Sequence, residues 1–222
     1  NSVLEVTDKV IELLKRTKNN DEFVEKMMKK VTIESDNDDF KEGIKKEIKI
    51  MHEEATKFLV NKKIPIKQSD TETAYDSSMN TIFVTQKHLK PGTLAHEVGH
   101  ALVDKYNLYE NEELATIMRN VVANAKYKVI KKDDEYYLSL SSEKFIRKYQ
   151  GRTYINVTKK YNNLKKGEHL KVESIDYTKL EEYVSVGYET FVSNPQLLYD
   201  KDKELYDFFK KGGLFNEIKK GK

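Results

Sequence analysis

Apolar residues recur at helical spacing from the start of the chain. Val3, Leu4, Val6, Val10, Ile11, Leu13 and Leu14 mark one amphipathic helix, and Phe23, Val24, Met27, Met28 and Val31, following Asn20-Asp21, mark a second. Ser35 to Asp39 is a polar turn that can cap a third, longer helix carrying Phe40, Ile44, Ile48, Met51, Ala55, Phe58 and Leu59. The pattern therefore predicts an N-terminal helical lobe over residues 1–62. Methionines on such stripes are read as packing. His52-Glu53-Glu54 has no second histidine four residues on and is read as surface.

The pattern changes between residues 62 and 87. After Ile64-Pro65-Ile66 and a polar Ser-Asp-Thr-Glu-Thr stretch, Thr81 to Thr85 reads as a short strand. Pro91-Gly92-Thr93 supplies a turn and a helix start, and the helix runs to about Lys105. Asn111-Glu112-Glu113 opens another, through Leu114, Ile117, Met118, Val121 and Val122. Alternation over 127–140 predicts a hairpin, followed by a short helix at 142–149. Residues 152–157 and 170–175 predict a second hairpin across a Lys-rich loop. Thr178 and Glu181 make a capping box for a helix packed by Tyr183, Val184, Val186, Tyr188 and Phe191. The fold class expected is α+β, mostly helical with a small sheet.

Within the helix that follows Thr93 lies His96-Glu97-Val98-Gly99-His100. Residues four apart stack on one helix face, so both imidazoles can reach one ion from neighbouring turns, with Glu97 just off that axis. This is the H-E-x-x-H arrangement of a zinc site with its general base. Zinc lowers the pKa of a water it binds to about 7, so a nearby carboxylate can take its proton for attack on a carbonyl. Leu94, Ala95, Val98, Ala101, Leu102 and Val103 make the segment apolar, where an unpaired imidazole or carboxylate would be costly.

Composition narrows the alternatives. Lys+Arg (40) and Asp+Glu (37) nearly cancel to a formal +3, and arginine occurs only at 16, 119, 147 and 152, which argues against a nucleic-acid binder. The chain has no Cys, so thiolate zinc sites, disulfides and cysteine catalysis are excluded. No apolar run approaches the roughly 20 residues that span a bilayer. The start, Asn1-Ser2-Val3-Leu4, lacks both an initiator Met and a signal-peptide layout, so a processed or excised piece is expected.

A catalytic zinc normally takes a third protein ligand and keeps one position open. A third histidine six residues after His100 would signal another zinc-protease class, but Tyr106 stands there, and His169 lies in a Lys/Gly loop. Glu112 and Glu113 follow His100 too closely for two helices to return antiparallel. Glu182, in the first turns of the helix after Thr178, is the better placed ligand. Glu181 then caps, and Glu189 is either a partner to a zinc-bound histidine or the ligand itself.

These residues resemble the lethal-factor-like zincins, the group containing the anthrax lethal factor catalytic domain and the Pro-Pro endopeptidases. The resemblance rests on His96 to His100 with Ala101 and Asp104. It also rests on Glu182-Tyr183-Val184 with Phe191 and Pro195, and on Leu197-Leu198 with Lys203 to Phe209 as a closing helix. Val186, Ser185 and Gly187 depart from the family's ligand helix. The resemblance implies a zinc endopeptidase with His96, His100 and Glu182 on one Zn2+ per chain and Glu97 as base. It further implies a tyrosine, Tyr177 or alternatively Tyr149 or Tyr154, that assists the oxyanion. It implies a catalytic domain over 63–222, with the hairpins at about 127–175 as an insertion. An extended polypeptide substrate would add alongside strand 81–85. Secretion as a bacterial effector or toxin is the expected setting. The rival readings are an intracellular regulatory protease of the same chemistry, and a catalytically silent binding module.

Overall fold

The computed structural model describes residues 21–132, 135–156 and 175–216. The chain divides into two compact units, Asn1–Leu94 and Ala95–Lys222. The expected first helix, strand residues 170–174 and His169 lie outside the described residues.

In the first unit, helix α1 is described over residues 21–28. Helix α2 (Asp38–Ile50) begins where the Asn37 side chain accepts hydrogen bonds from the backbone N–H of Asp39 and Phe40. That satisfies donors the first turn leaves open, and Asp38 and Asp39 complement the helix dipole. Phe40, Ile44 and Ile48 bury one face. The long third helix expected over this stretch is instead two, because Met51 and His52 adopt extended backbone and α3 restarts at Glu53–Asn61. Met51 is buried through the break, so the apolar stripe runs on across it without a Gly or Pro to mark the end.

Four short strands of this unit pair in the sheet order β1-β2-β4-β3. Strands β1 (Ile33–Glu34), β2 (Ile66–Gln68) and β4 (Thr81–Val84) are parallel, and β3 (Ala74–Asp76) runs antiparallel to β4. Ile66 faces Ile82 across the β2–β4 pair, and both are fully buried. Strand β4 is thus interior, bonded on one side to β2 and on the other to β3. The expectation that a substrate strand would add at 81–85 fails for that reason, since both hydrogen-bonding edges are taken. The buried Glu47 carboxylate of α2 accepts from Gly92 N at 3.0 Å and Leu94 N at 3.1 Å. It thereby satisfies the opening donors of α4 (Thr93–Tyr106), and Gly92 supplies the positive φ of 98° that the turn requires.

In the second unit, α5 (Glu112–Asn124) starts where the Asn111 side chain accepts from Leu114 N, as its sequence predicts. Strands β5 (Lys126–Lys132), β6 (Glu135–Ser141) and β7 (Arg152–Asn156) form an antiparallel sheet in that order. The helix expected at 142–149 is a single 3-10 turn, Lys148–Gly151. Buried Gln150 explains the difference. Its Oε1 accepts from Ile146 N and Arg147 N, and so supplies these donors with a side-chain partner in place of a helical ladder.

Helix α6 (Glu181–Ser193) is buried continuously from Glu182 to Tyr188. The expected capping box does not form: Thr178 bonds to Asp176 in a preceding 3-10 turn, and Leu180 takes the cap position without a side-chain bond. Asn194 caps α7 (Pro195–Lys201), and Asp202 caps α8 (Lys203–Lys210) while also accepting from the buried Tyr183 hydroxyl. Leu205, Phe208 and Phe209 bury the inner face of α8. The described elements are α+β in class. Among the described residues, no helix is long and apolar enough to cross a membrane.

Candidate metal centre

Helix α4 presents His96 and His100 one turn apart, their ring centroids 4.9 Å from each other in an edge-on arrangement. The two Nε2 atoms are 3.2 Å apart. Glu182, in the first turn of α6, places Oε2 at 3.2 Å from His96 Nε2 and 3.3 Å from His100 Nε2. Three lone-pair-bearing atoms from two helices thus meet in a nearly equilateral triangle. The helices can come this close because Gly99 has no side chain: a Cβ there would lie 3.0 Å from Ser185 Cα on α6.

Protons alone satisfy this triangle badly. His96 also faces Glu189 Oε2 through Nδ1 at 3.0 Å, so hydrogen-bonding both carboxylates would require a full imidazolium. His100 would need its own Nε2 proton toward the same Glu182 oxygen, which brings two N–H groups against each other at 3.2 Å. A cation held among the three lone pairs removes the conflict, and the group can hold a metal ion.

The electrostatics agree with the geometry. Burial alone would lower the His96 pKa, but hydrogen bonds to Glu182 and Glu189 and the charges of Glu97 and Glu182 push it up to about 9. For Glu182 burial works upward, yet contact with His100 and His96 holds the carboxyl well below the usual range. Glu189 is likewise lowered, against burial, by His96 and Arg147. The carboxylates of Glu97, Glu182 and Glu189 around His96 thus favour positive charge at this point.

Glu97 is 5% exposed, beside His96 on the same helix. The Tyr149 hydroxyl donates to Glu182 Oε1 at 2.9 Å. Tyr177, the first candidate from the sequence, is committed elsewhere: its hydroxyl donates to the Tyr109 carbonyl at 2.7 Å, and the Arg119 guanidinium lies over its ring at 5.1 Å. The Tyr177 hydroxyl thus turns to the Tyr109 carbonyl, whereas that of Tyr149, carried by the turn at 148–151, meets Glu182. Glu181 is exposed, and the Tyr154 side chain is not among those described.

Two further groups at the site carry no motif that would have marked them. Arg147 pairs with Glu189, on the same oxygen that faces His96. Tyr109 lies near enough to Glu181 and Glu182 that burial first, and then their charges, push its phenol well up. No protein-family model, curated protein or solved structure matches the chain.

Proposed function

We propose that the protein is a zinc-dependent endopeptidase of the zincin type, with His96, His100 and Glu182 as ligands. The triangle of donor atoms carries this reading. Zinc bonds of about 2.0–2.1 Å in tetrahedral geometry separate neighbouring ligand atoms by about 3.3–3.4 Å, and the three edges here are 3.2, 3.2 and 3.3 Å. Two imidazoles and one carboxylate are the donor set of catalytic zinc sites that keep a position open. The absence of Cys removes the thiolate sites that would suggest a purely structural ion.

When bound, zinc supplies Lewis acidity that polarises the scissile carbonyl and makes water acidic enough to be deprotonated near neutrality. Glu97 accepts the proton of the attacking water and returns it to the departing amine nitrogen. Glu189 accepts from His96 Nδ1–H, which fixes the tautomer and leaves the Nε2 lone pair facing the other two donors. Tyr149 can swing its hydroxyl from Glu182 to the oxyanion of the tetrahedral intermediate, the task the family resemblance assigns to a tyrosine. The substrate class is an extended polypeptide.

Hydrolysis of a diverse peptide library by zinc-loaded protein tests the reading. Wild type should cleave, and Glu97→Gln should retain zinc while losing about 10²–10⁴-fold in turnover. A zinc-loaded wild type that cuts nothing, or a Glu97→Gln variant that cuts as well as wild type, would overturn it.

A further inference from the structure

We propose that Arg147 is a positioning residue for the metal centre, acting through Glu189 on His96, and that the 146–151 turn is built to hold it there. The inference rests on the zinc reading above. Glu189 Oε2 receives both His96 Nδ1, at 3.0 Å, and the Arg147 guanidinium, so one oxygen joins the ligand to a permanent cation. An arginine that merely decorated the surface would have no reason to choose the oxygen already engaged with the histidine. By holding that shared oxygen it restrains the carboxylate's rotation, and with it the plane of the imidazole.

The turn that carries Arg147 is anchored as a bracket. Gln150 has no solvent exposure, and its Oε1 accepts from Ile146 N at 2.6 Å and Arg147 N at 3.3 Å. Its Nε2 donates to the Tyr183 carbonyl at 3.3 Å, one residue along α6 from Glu182. Gly151 lies flush against β6, since a Cβ there would come within 1.9 Å of the Leu140 carbonyl oxygen. The same turn delivers Tyr149 to Glu182 Oε1. One short segment, tied to α6 and β6, thus contacts both carboxylates that surround the histidines: Glu182 through Tyr149 and Glu189 through Arg147.

The test is zinc affinity by chelator competition, with the visible absorption of the cobalt-substituted protein as a second readout. Wild type, Arg147→Gln, Arg147→Lys, Glu189→Gln and the Arg147→Gln/Glu189→Gln pair are compared. Arg147→Gln should weaken zinc about 10-fold and alter the cobalt bands, with Arg147→Lys recovering part of the loss. Peptide turnover should show the loss in kcat rather than KM. The double variant should bind no more weakly than Glu189→Gln alone, because the arginine acts through that carboxylate. Wild-type affinity and cobalt bands in Arg147→Gln, or a loss confined to KM, would overturn the inference and leave the zinc reading standing. Failure of wild type itself to bind zinc would overturn both.

Discussion

Gly99 sets the distance between the two helices that carry the candidate metal group, and Gly99→Ala perturbs that distance without touching a donor atom. The added methyl would sit 3.0 Å from Ser185 Cα and 3.4 Å from Ser185 Cβ. Carbon atoms pack at about 3.5–4.0 Å, so α6 must give way by a few tenths of an ångström. Backbone is the obstacle, and it cannot rotate aside as a side chain would. Glu182 lies one turn before Ser185 and moves with it, while metal–ligand distances tolerate only about ±0.2 Å. Zinc affinity should therefore fall by at least about 10-fold, or about 1.4 kcal/mol. Stability of the metal-free protein should fall by no more than about 2 kcal/mol. Overpacking costs about 1–3 kcal/mol, and replacing glycine by alanine inside a helix returns about 1 kcal/mol. Chelator competition reads the first quantity, and thermal unfolding of metal-free protein reads the second. Wild-type zinc affinity in Gly99→Ala, with α6 unmoved, would refute the reasoning.

Two tyrosine substitutions should separate the candidates for the oxyanion. Tyr149→Phe should lower kcat about 10²–10³-fold with zinc retained, and Tyr177→Phe should leave turnover near wild type while costing about 1 kcal/mol through the lost bond to the Tyr109 carbonyl. The opposite ranking in steady-state kinetics would return the role to Tyr177. The pH dependence follows from His96. Its pKa rises from 6.5 to about 9 in the metal-free protein, so its stabilising contribution is fully present below about 6.5 and is lost as pH rises through about 9. A metal requires the neutral ring and displaces that proton, so zinc affinity should climb about tenfold per pH unit between 7 and 9 and then level off. Titration calorimetry in buffers of different ionisation enthalpy would show the released proton, and a flat affinity over that range would contradict the assignment.

The parts of the site that were legible in the sequence are those fixed by helix geometry. His96 and His100 share a face because they are four apart, and Glu182 and Glu189 share one because seven residues make two turns. Each pair needed only a helix, which the apolar spacing announced. What escaped is set by competition between partners. Thr178 looked like a cap until Asp176 took its hydroxyl and N–H. The Met51–His52 break carries no punctuating residue, and burial continues across it. Strand β4 was visible, but its interior place depends on the order in which β2 and β3 flank it, which alternation does not encode. Glu47 and Gln150 are buried polar residues whose use of backbone donors far away in sequence or across a turn leaves no periodic trace. Tyr149 reaches Glu182 through tertiary packing, and Tyr177, five residues before it, turns to the Tyr109 carbonyl instead.

Metal content decides the central claim most directly. Protein stripped with chelator, reloaded with zinc and dialysed should carry one ion per chain, and Glu182→Ala treated identically should lose it together with peptide hydrolysis. Wild type that emerges without zinc, or Glu182→Ala that holds zinc as tightly as wild type, would contradict the assignment of His96, His100 and Glu182 as one coordinating group.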